Sequence, residues 1–161
     1  MTPSVHDYIA KNKGKLTGKV LEVGSFDANG GVRDIITIHT GIDMRKGKGV
    51  DLVCKAEDLL DHFEEGFFDS VVTTETLEHV EHWKECLSTI NKVVKPDGWW
   101  LFTMASIRKH RHAYPDDYWR FTPEQLEQVF PGSKVTDFRV SYALCWQNGT
   151  LDLTVEPYKV P

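Results

Sequence analysis

No apolar stretch in the chain approaches the roughly 18 residues that a membrane-spanning helix requires. The start, Met1-Thr2-Pro3-Ser4, has neither the basic nor the apolar region of a secretion signal, so a cytoplasmic setting and no membrane partner are expected. The net charge is −5 and no basic block interrupts it, so the electrostatic footprint of a duplex-DNA reader is missing and nucleic acid is disfavoured as a partner. Cysteine is scarce. Cys54, Cys86 and Cys145 are odd in number and far apart, which fits reduced, buried thiols and not a disulfide framework. No repeat, low-complexity run or linker divides the sequence. Its 161 residues, 40% apolar and 27% charged, are expected to fold as one domain, 1–161, with a substantial core.

What is present centres on Lys19-Val20-Leu21-Glu22-Val23-Gly24-Ser25, an apolar run ending in an acid and a glycine. It reads as a short buried strand that opens into Phe26-Asp27-Ala28-Asn29-Gly30-Gly31, a turn whose backbone amides can face a ligand. A carboxylate two residues before the first glycine would repel a phosphate, so Glu22 points to a cationic or amine-bearing ligand. An acid between Leu21 and Val23, in a strand buried on both faces, also demands a partner. A second short strand, Thr40-Gly41-Ile42-Asp43, ends in another acid, 19 residues beyond Gly24. That offset is close to the roughly 20 residues at which a strand-end acid meets a ribose in two-fold α/β nucleotide sites.

Around these strands, Thr2-Pro3 caps a helix that carries Val5, Tyr8 and Ile9 on one face and frays by Gly14. Val32 to Ile38 is expected to form at most two helical turns. Only six residues separate Asp43 from Val50-Asp51-Leu52-Val53, too few for the usual crossover, so a loop and a stub strand are expected. Phe67 to Glu75 has the β-branched density of a central strand. Val80 to Lys95 is the clearest helix, with Val80, Trp83, Leu87, Ile90 and Val94 on one face and Pro96-Asp97-Gly98 as its stop. Trp99 to Met104 reads as a buried strand, and Thr122-Pro123-Glu124-Gln125 as a capping box. Asn148-Gly149, between Tyr142, Leu144, Trp146 and Leu151, Leu153, Val155, predicts a C-terminal hairpin whose exposed side offers an edge for pairing in a homo-oligomer.

The series Val20 to Gly24, Ile42-Asp43, Ala56-Glu57-Asp58-Leu59, Phe68 to Val80 and Leu87 to Gly98 resembles, in order and over most of the chain, a class I S-adenosylmethionine-dependent methyltransferase of the small, type 11-like kind. The resemblance implies an α/β, Rossmann-like, seven-stranded mostly parallel sheet with a C-terminal antiparallel hairpin, and helices on both faces, some shortened or lost. It implies S-adenosyl-L-methionine as cofactor, with Glu22 near the methionine amine and Gly24 and Ser25 along its backbone path. Asp43 would take the ribose hydroxyls, Met44, Ala56, Glu57 and Asp58 would edge the adenine, and Thr74 and Glu75 would flank the methionine moiety. The family's later loop glycines are replaced here by Phe26 and Ala28, and Gly30-Gly31 stands further on. A dehydrogenase shares the strand, loop and ribose acid, but G-x-G-x-x-G is absent and Glu22 would face a pyrophosphate.

The segment Ser106 to Arg120 is loop-like and dense in functional groups, and it is expected to close over the acceptor. His112, Tyr114 and Asp117 are candidates to remove or position an acceptor proton. His79, in Leu77-Glu78-His79-Val80, is either catalytic or a structural element of the helix start. A structural alternative for the loop pins it through Tyr118, Trp119 and Phe121, with Asp117 and Arg120 as a buried pair. His110-x-His112 has no third or fourth ligand at zinc-like spacing, so no metal is expected. Two functions stay open. One is an active methyltransferase on a small or medium metabolite, with a sugar-linked acceptor as one option; the other is an inactive methyltransferase-like domain serving as a binding or scaffold subunit.

Overall fold

The computed structural model describes residues 1–112 and 116–161, so Tyr114 lies outside the described residues. Its strands and helices are α1 (Pro3–Asn12), β1 (Val20–Val23), β2 (Thr40–Asp43), β3 (Leu52–Val53), β4 (Phe68–Thr74), α2 (Trp83–Val93), β5 (Val94–Ala105), β6 (Trp119–Arg120), α3 (Pro123–Val129), β7 (Thr136–Asp137), β8 (Ser141–Gln147) and β9 (Tyr158–Lys159). Alternation along β1 sets the layers. Leu21 and Val23 face a core built with α2, α3 and the 3-10 turn Ala56–Asp61, while Val20 faces a second core with α1, Val32, Ile36, Val72 and Leu101. Glu22, in register with Val72, falls on that second side.

One seven-stranded sheet runs in the order β3-β2-β1-β4-β5-β8-β7, and β6 and β9 form a separate two-stranded pair. The first five strands pair in parallel, while β8 is antiparallel to β5 and β7. Because chain order reverses between β1 and β4, their carboxyl ends form the switch point at which open α/β sheets bind ligands. β3 is a two-residue stub, and the Met44 to Gly49 connection carries no helix.

α1 starts as its sequence suggests: Thr2 Oγ1 accepts from the Val5 amide and Pro3 opens the first turn. α3 carries a complete capping box between Thr122 and Gln125. α2 is shorter at its start than hydrophobic spacing predicts. Trp119 Nε1 donates to the carbonyls of Val80 (2.9 Å) and Glu81 (3.1 Å), Val80 is extended, and Leu77–His79 is a separate 3-10 turn. Val32 to Ile38 is a single hydrogen-bonded turn on the Val32 carbonyl. Three isoleucines and a threonine in seven residues do not repay the cost of nucleating a helix.

The antiparallel hairpin of the main sheet is β7–β8, which turns through Phe138 to Val140; Leu151 to Val155 form no strand. Asn148 is the reason. It is buried, and its side-chain amide donates to the carbonyls of Asn91 (3.0 Å), Val94 (3.0 Å) and Lys95 (3.1 Å), capping α2, while its Oδ1 accepts from Trp100 Nε1 (3.0 Å). The side chain that makes Asn-Gly a turn signal is thus committed to tertiary bonds. The chain beyond it packs over α3, and β9 pairs with β6. The last strand on this side of the sheet is therefore β7, where pairing at the predicted hairpin edge would have to occur.

Candidate functional site

A cleft of about 600 Å³ opens at the switch point. Its walls come from the carboxyl ends of β1, β2 and β4, the loop after β1, the start of the Ala56–Asp61 turn and the Leu77–His79 turn. Parallel strands deliver this geometry, since all their carboxyl ends emerge at one edge.

Glu22 dominates the electrostatics. It is 4% exposed, and its Oε2 has no hydrogen-bond partner. Arg33 Nε stands 3.7 Å away, but that guanidinium is bonded to the Gly49 carbonyl (3.0 Å) and to Asp51. Burial pushes the Glu22 carboxyl up to about 7, and Arg33 offsets that only in part. A buried carboxyl with an unused acceptor, on a residue that lines the cleft, can take a hydrogen bond from a cationic donor.

Gly24 has φ +77°, and a Cβ there would come within 2.1 Å of Thr76 Oγ1. Thr76 Oγ1 donates to the Thr74 carbonyl (3.0 Å) and lies 3.3 Å from that of Val23, so the missing side chain lets the ends of β1 and β4 meet. The amides of Gly24 and Ser25 both donate to the Ile42 carbonyl at 2.9 Å. They therefore hold the loop to β2 and do not face a ligand, contrary to the expectation for the start of this turn; the buried Ser25 Oγ is left without a partner. The turn itself comes at Gly30 (φ +93°), whose amide donates to Asp27 Oδ1 at 2.8 Å, as the displaced glycines suggested. Phe26 takes the Arg45 guanidinium on its ring at 4.2 Å, and Arg45 donates to Asp43 Oδ1 from its amide (2.9 Å) and its Nε (3.1 Å).

At the end of β4, Glu75 adopts φ +50°, a left-handed conformation sparsely used by residues other than glycine. The Thr103 carbonyl and hydroxyl hold its amide at 3.0 and 3.2 Å, and Lys109 Nζ lies 3.3 Å from its Oε2. Glu78 is fully buried; its Oε1 accepts from the Ala105 amide at 3.2 Å and its Oε2 has no partner. Burial first, and then the Glu75 charge, drive the Glu78 carboxyl well above the usual range. His79 meets the Asp116 carbonyl through Nδ1 at 2.8 Å and His112 Nε2 through Nε2 at 3.1 Å. Burial lowers both imidazoles, with Lys109 adding to the effect on His112. Asp117 and Arg120 form a buried two-pronged ion pair, with Nη2 to Oδ2 at 2.6 Å, and Asp117 also accepts the His112 amide at 3.0 Å. Burial works to raise the Asp117 carboxyl, but these bonds outweigh it and hold it below its ordinary range.

Of the predicted cofactor residues, Glu22, Gly24, Ser25, Asp43, Met44, Ala56, Glu57, Thr74 and Glu75 line the cleft; Asp58 does not. Of the predicted catalytic residues among the described ones, only His79 lines it; Tyr114 lies outside the described residues. His112 stacks edge-on against His79 one layer behind, and Asp117 is committed to Arg120, as the structural alternative for the loop has it. Sequence reasoning passed over Glu78, Arg33 and Thr76. Glu78 stood inside the recognised motif, but only the register of β4 against β5 shows that it reaches the Ala105 amide. The pairing of His79 with His112 spans 33 residues and has no spacing signature.

A parallel sheet with a ligand cleft at its switch point and an acid at the end of each of two neighbouring strands defines an α/β protein of the nucleoside-binding kind. Residues 4–137 match a family model described as a methyltransferase domain, and the chain belongs to that family. Among solved structures it is similar to a SAM-dependent methyltransferase from Archaeoglobus fulgidus (TM-score 0.68, 13% identity, 89% of this chain and 93% of that one). It is likewise similar to a SAM-dependent methyltransferase from Thermotoga maritima (0.66, 15%, 91% and 92%). A third is the 1,6-didemethyltoxoflavin-N1-methyltransferase of Burkholderia thailandensis, solved with 1,6-didemethyltoxoflavin and S-adenosylhomocysteine (0.65, 13%, 92% and 78%). At these identities the likeness is one of fold. No curated protein matches the chain.

Proposed function

We propose that the protein is an S-adenosylmethionine-dependent methyltransferase that acts on a small or medium metabolite, a class that includes sugar-linked acceptors. The observation that carries the reading is Glu22, a buried carboxyl that lines the cleft with one oxygen accepting no hydrogen bond, one strand away from the Asp43 acid. The donor set fits the cofactor: Glu22 takes the methionine ammonium, Asp43 the ribose hydroxyls, and Met44, Ala56 and Glu57 border the adenine. Thr74 and Glu75 stand beside the methionine chain. Bound there, the cofactor supplies a sulfonium methyl group for in-line transfer to an acceptor lone pair.

The chain's own task is alignment and exclusion of water. His79 and Tyr118 line the cleft on the side of the 106–120 loop, and the Asp117–Arg120 pair and the β6–β9 pairing anchor that loop. A cleft of about 600 Å³ holds a cofactor and a modest acceptor but offers little area for reading a macromolecule. Calorimetric titration with S-adenosylmethionine and with S-adenosylhomocysteine tests the proposal. Saturable one-to-one binding supports it, and the absence of heat at millimolar ligand returns the domain to the scaffold reading.

A further inference from the structure

We infer that Glu78, His79 and His112 form a binding site for a divalent first-row transition-metal cation, placed behind the cleft wall with His79 as its opening to the cavity. The ligand atoms of these three residues all lie within 4.8 Å of one another, on the Leu77–His79 turn and on a loop 33 residues away. His79 is prepared as a ligand. The Asp116 carbonyl can only accept, so the neutral His79 ring carries its proton on Nδ1 and leaves Nε2 bare. The Asp117 carboxylate stands 3.2 Å from His112 Nδ1, which makes no hydrogen bond in the empty site; a cation on Nε2 would place that ring's proton on Nδ1, facing the carboxylate. The two Nε2 atoms face each other at 3.1 Å, a distance at which His112 can donate to the bare His79 nitrogen in the empty site or give up that proton so that both meet one cation.

That separation is what a shared cation requires. Two nitrogens each about 2.0–2.1 Å from a metal stand about 2.9–3.4 Å apart in octahedral or tetrahedral geometry. Glu78 adds the carboxylate. Its Oε1 is held by the Ala105 amide, and its Oε2 is a fully buried oxygen without a partner, the arrangement of a monodentate ligand waiting for a cation. The neighbouring Glu75 is already paired with Lys109, so Lys109 does not meet the need at Glu78. Behind the imidazoles stand a backbone carbonyl hydrogen-bonded to His79 and, 3.2 Å from the unbonded His112 Nδ1, an Arg120-anchored carboxylate, groups of the kind that orient metal-bound histidines. Two imidazoles and one carboxylate suit zinc, iron or nickel ions better than magnesium or calcium, and three protein ligands leave positions open. This inference rests on the methyltransferase reading only for what fills those positions: an oxygen donor of the acceptor, presented beside His79.

The test is a titration of the chelator-treated full chain with Zn²⁺, by calorimetry, and with Co²⁺, by visible absorption. One equivalent is expected to bind, and His79→Ala, His112→Ala and the shape-conserving Glu78→Gln are each expected to weaken it at least tenfold, on the order of a lost ligand or support. His110→Ala, at an exposed neighbour, leaves it unchanged, and circular dichroism verifies that each variant is folded. Failure to bind one equivalent, or binding that survives both histidine changes, overturns the inference. S-adenosylmethionine titrated into the chelated wild-type chain separates the two readings: cofactor binding without zinc binding refutes the metal site alone, and zinc binding without cofactor binding refutes the methyltransferase reading alone.

Discussion

Protonation of Glu22 should make cofactor affinity rise with pH across neutrality. The carboxyl titrates at about 7 against an ordinary 4.5, so ionising it in the buried site costs about 3 kcal/mol relative to water. Because the folded-state value is raised, the empty protein holds this proton where the unfolded chain has lost it. Stability from this group is therefore full below the unfolded value, falls as pH rises from about 4.5 to 7, and stays lower above that. A cofactor ammonium reverses the balance by binding the ionised form. With a titration at about 7, roughly a tenth of the sites are ionised at pH 6 and about seven tenths at pH 7.4. The affinity for S-adenosylmethionine should accordingly rise about fivefold between these values, once deprotonation of the ligand's own amine, near 7.7–8.0, is included. Calorimetry at pH 6 in two buffers of different ionisation enthalpy should report release of nearly one proton per ligand bound. Glu22→Gln should remove the proton release, weaken binding at pH 7.4 at least tenfold, and raise the melting temperature of the empty protein at pH 8. Affinity that is flat from pH 6 to 7.4 in the wild type, or equal in the glutamine variant, would refute the placing of the ammonium at Glu22.

Three further outcomes are expected. Asp43→Ala should weaken cofactor binding ten- to a hundredfold, about 1.4 to 3 kcal/mol for a charge-assisted bond pair, measured by the same titration; unchanged affinity would place the ribose elsewhere. Asn148→Ala strips the α2 carbonyls of their cap and leaves Trp100 Nε1 buried without an acceptor, so urea unfolding should show a loss of about 2–4 kcal/mol with little change in slope. Arg120→Met leaves Asp117 buried and unpaired, at a cost of about 3–5 kcal/mol, whereas adding Asp117→Leu should recover much of it. A double variant no more stable than the single one would show that the pair matters through more than its charge.

The sheet was legible because its strands announce themselves locally. Val20 to Val23 and Phe68 to Thr74 are dense in β-branched residues and stop at residues that end strands. The cleft wall is legible for the same reason, since parallel strands place their ends together and Glu22, Asp43 and Thr74 stand at strand ends. Tertiary competition hid the rest. Asn148 carries a strong local turn signal, yet four partners elsewhere in the fold claim its side chain. Val80 has helical spacing, yet Trp119 takes its carbonyl. Gly24 reads as the point where the strand opens toward a ligand, but its amide turns to Ile42, and its missing Cβ makes room for Thr76. The cluster of Glu78, His79 and His112 arises where a loop folds back over a strand end, a contact that no spacing along the chain encodes.

Two acids at adjacent strand ends are expected to grip the amine and the ribose of one cofactor, and a crystal structure of the chain with S-adenosylhomocysteine tests this most directly. The predicted complex has the amino group within hydrogen-bond distance of Glu22 Oε2 and the ribose hydroxyls on Asp43. A ligand bound in the cleft with its amine away from Glu22, or its ribose away from Asp43, would contradict it.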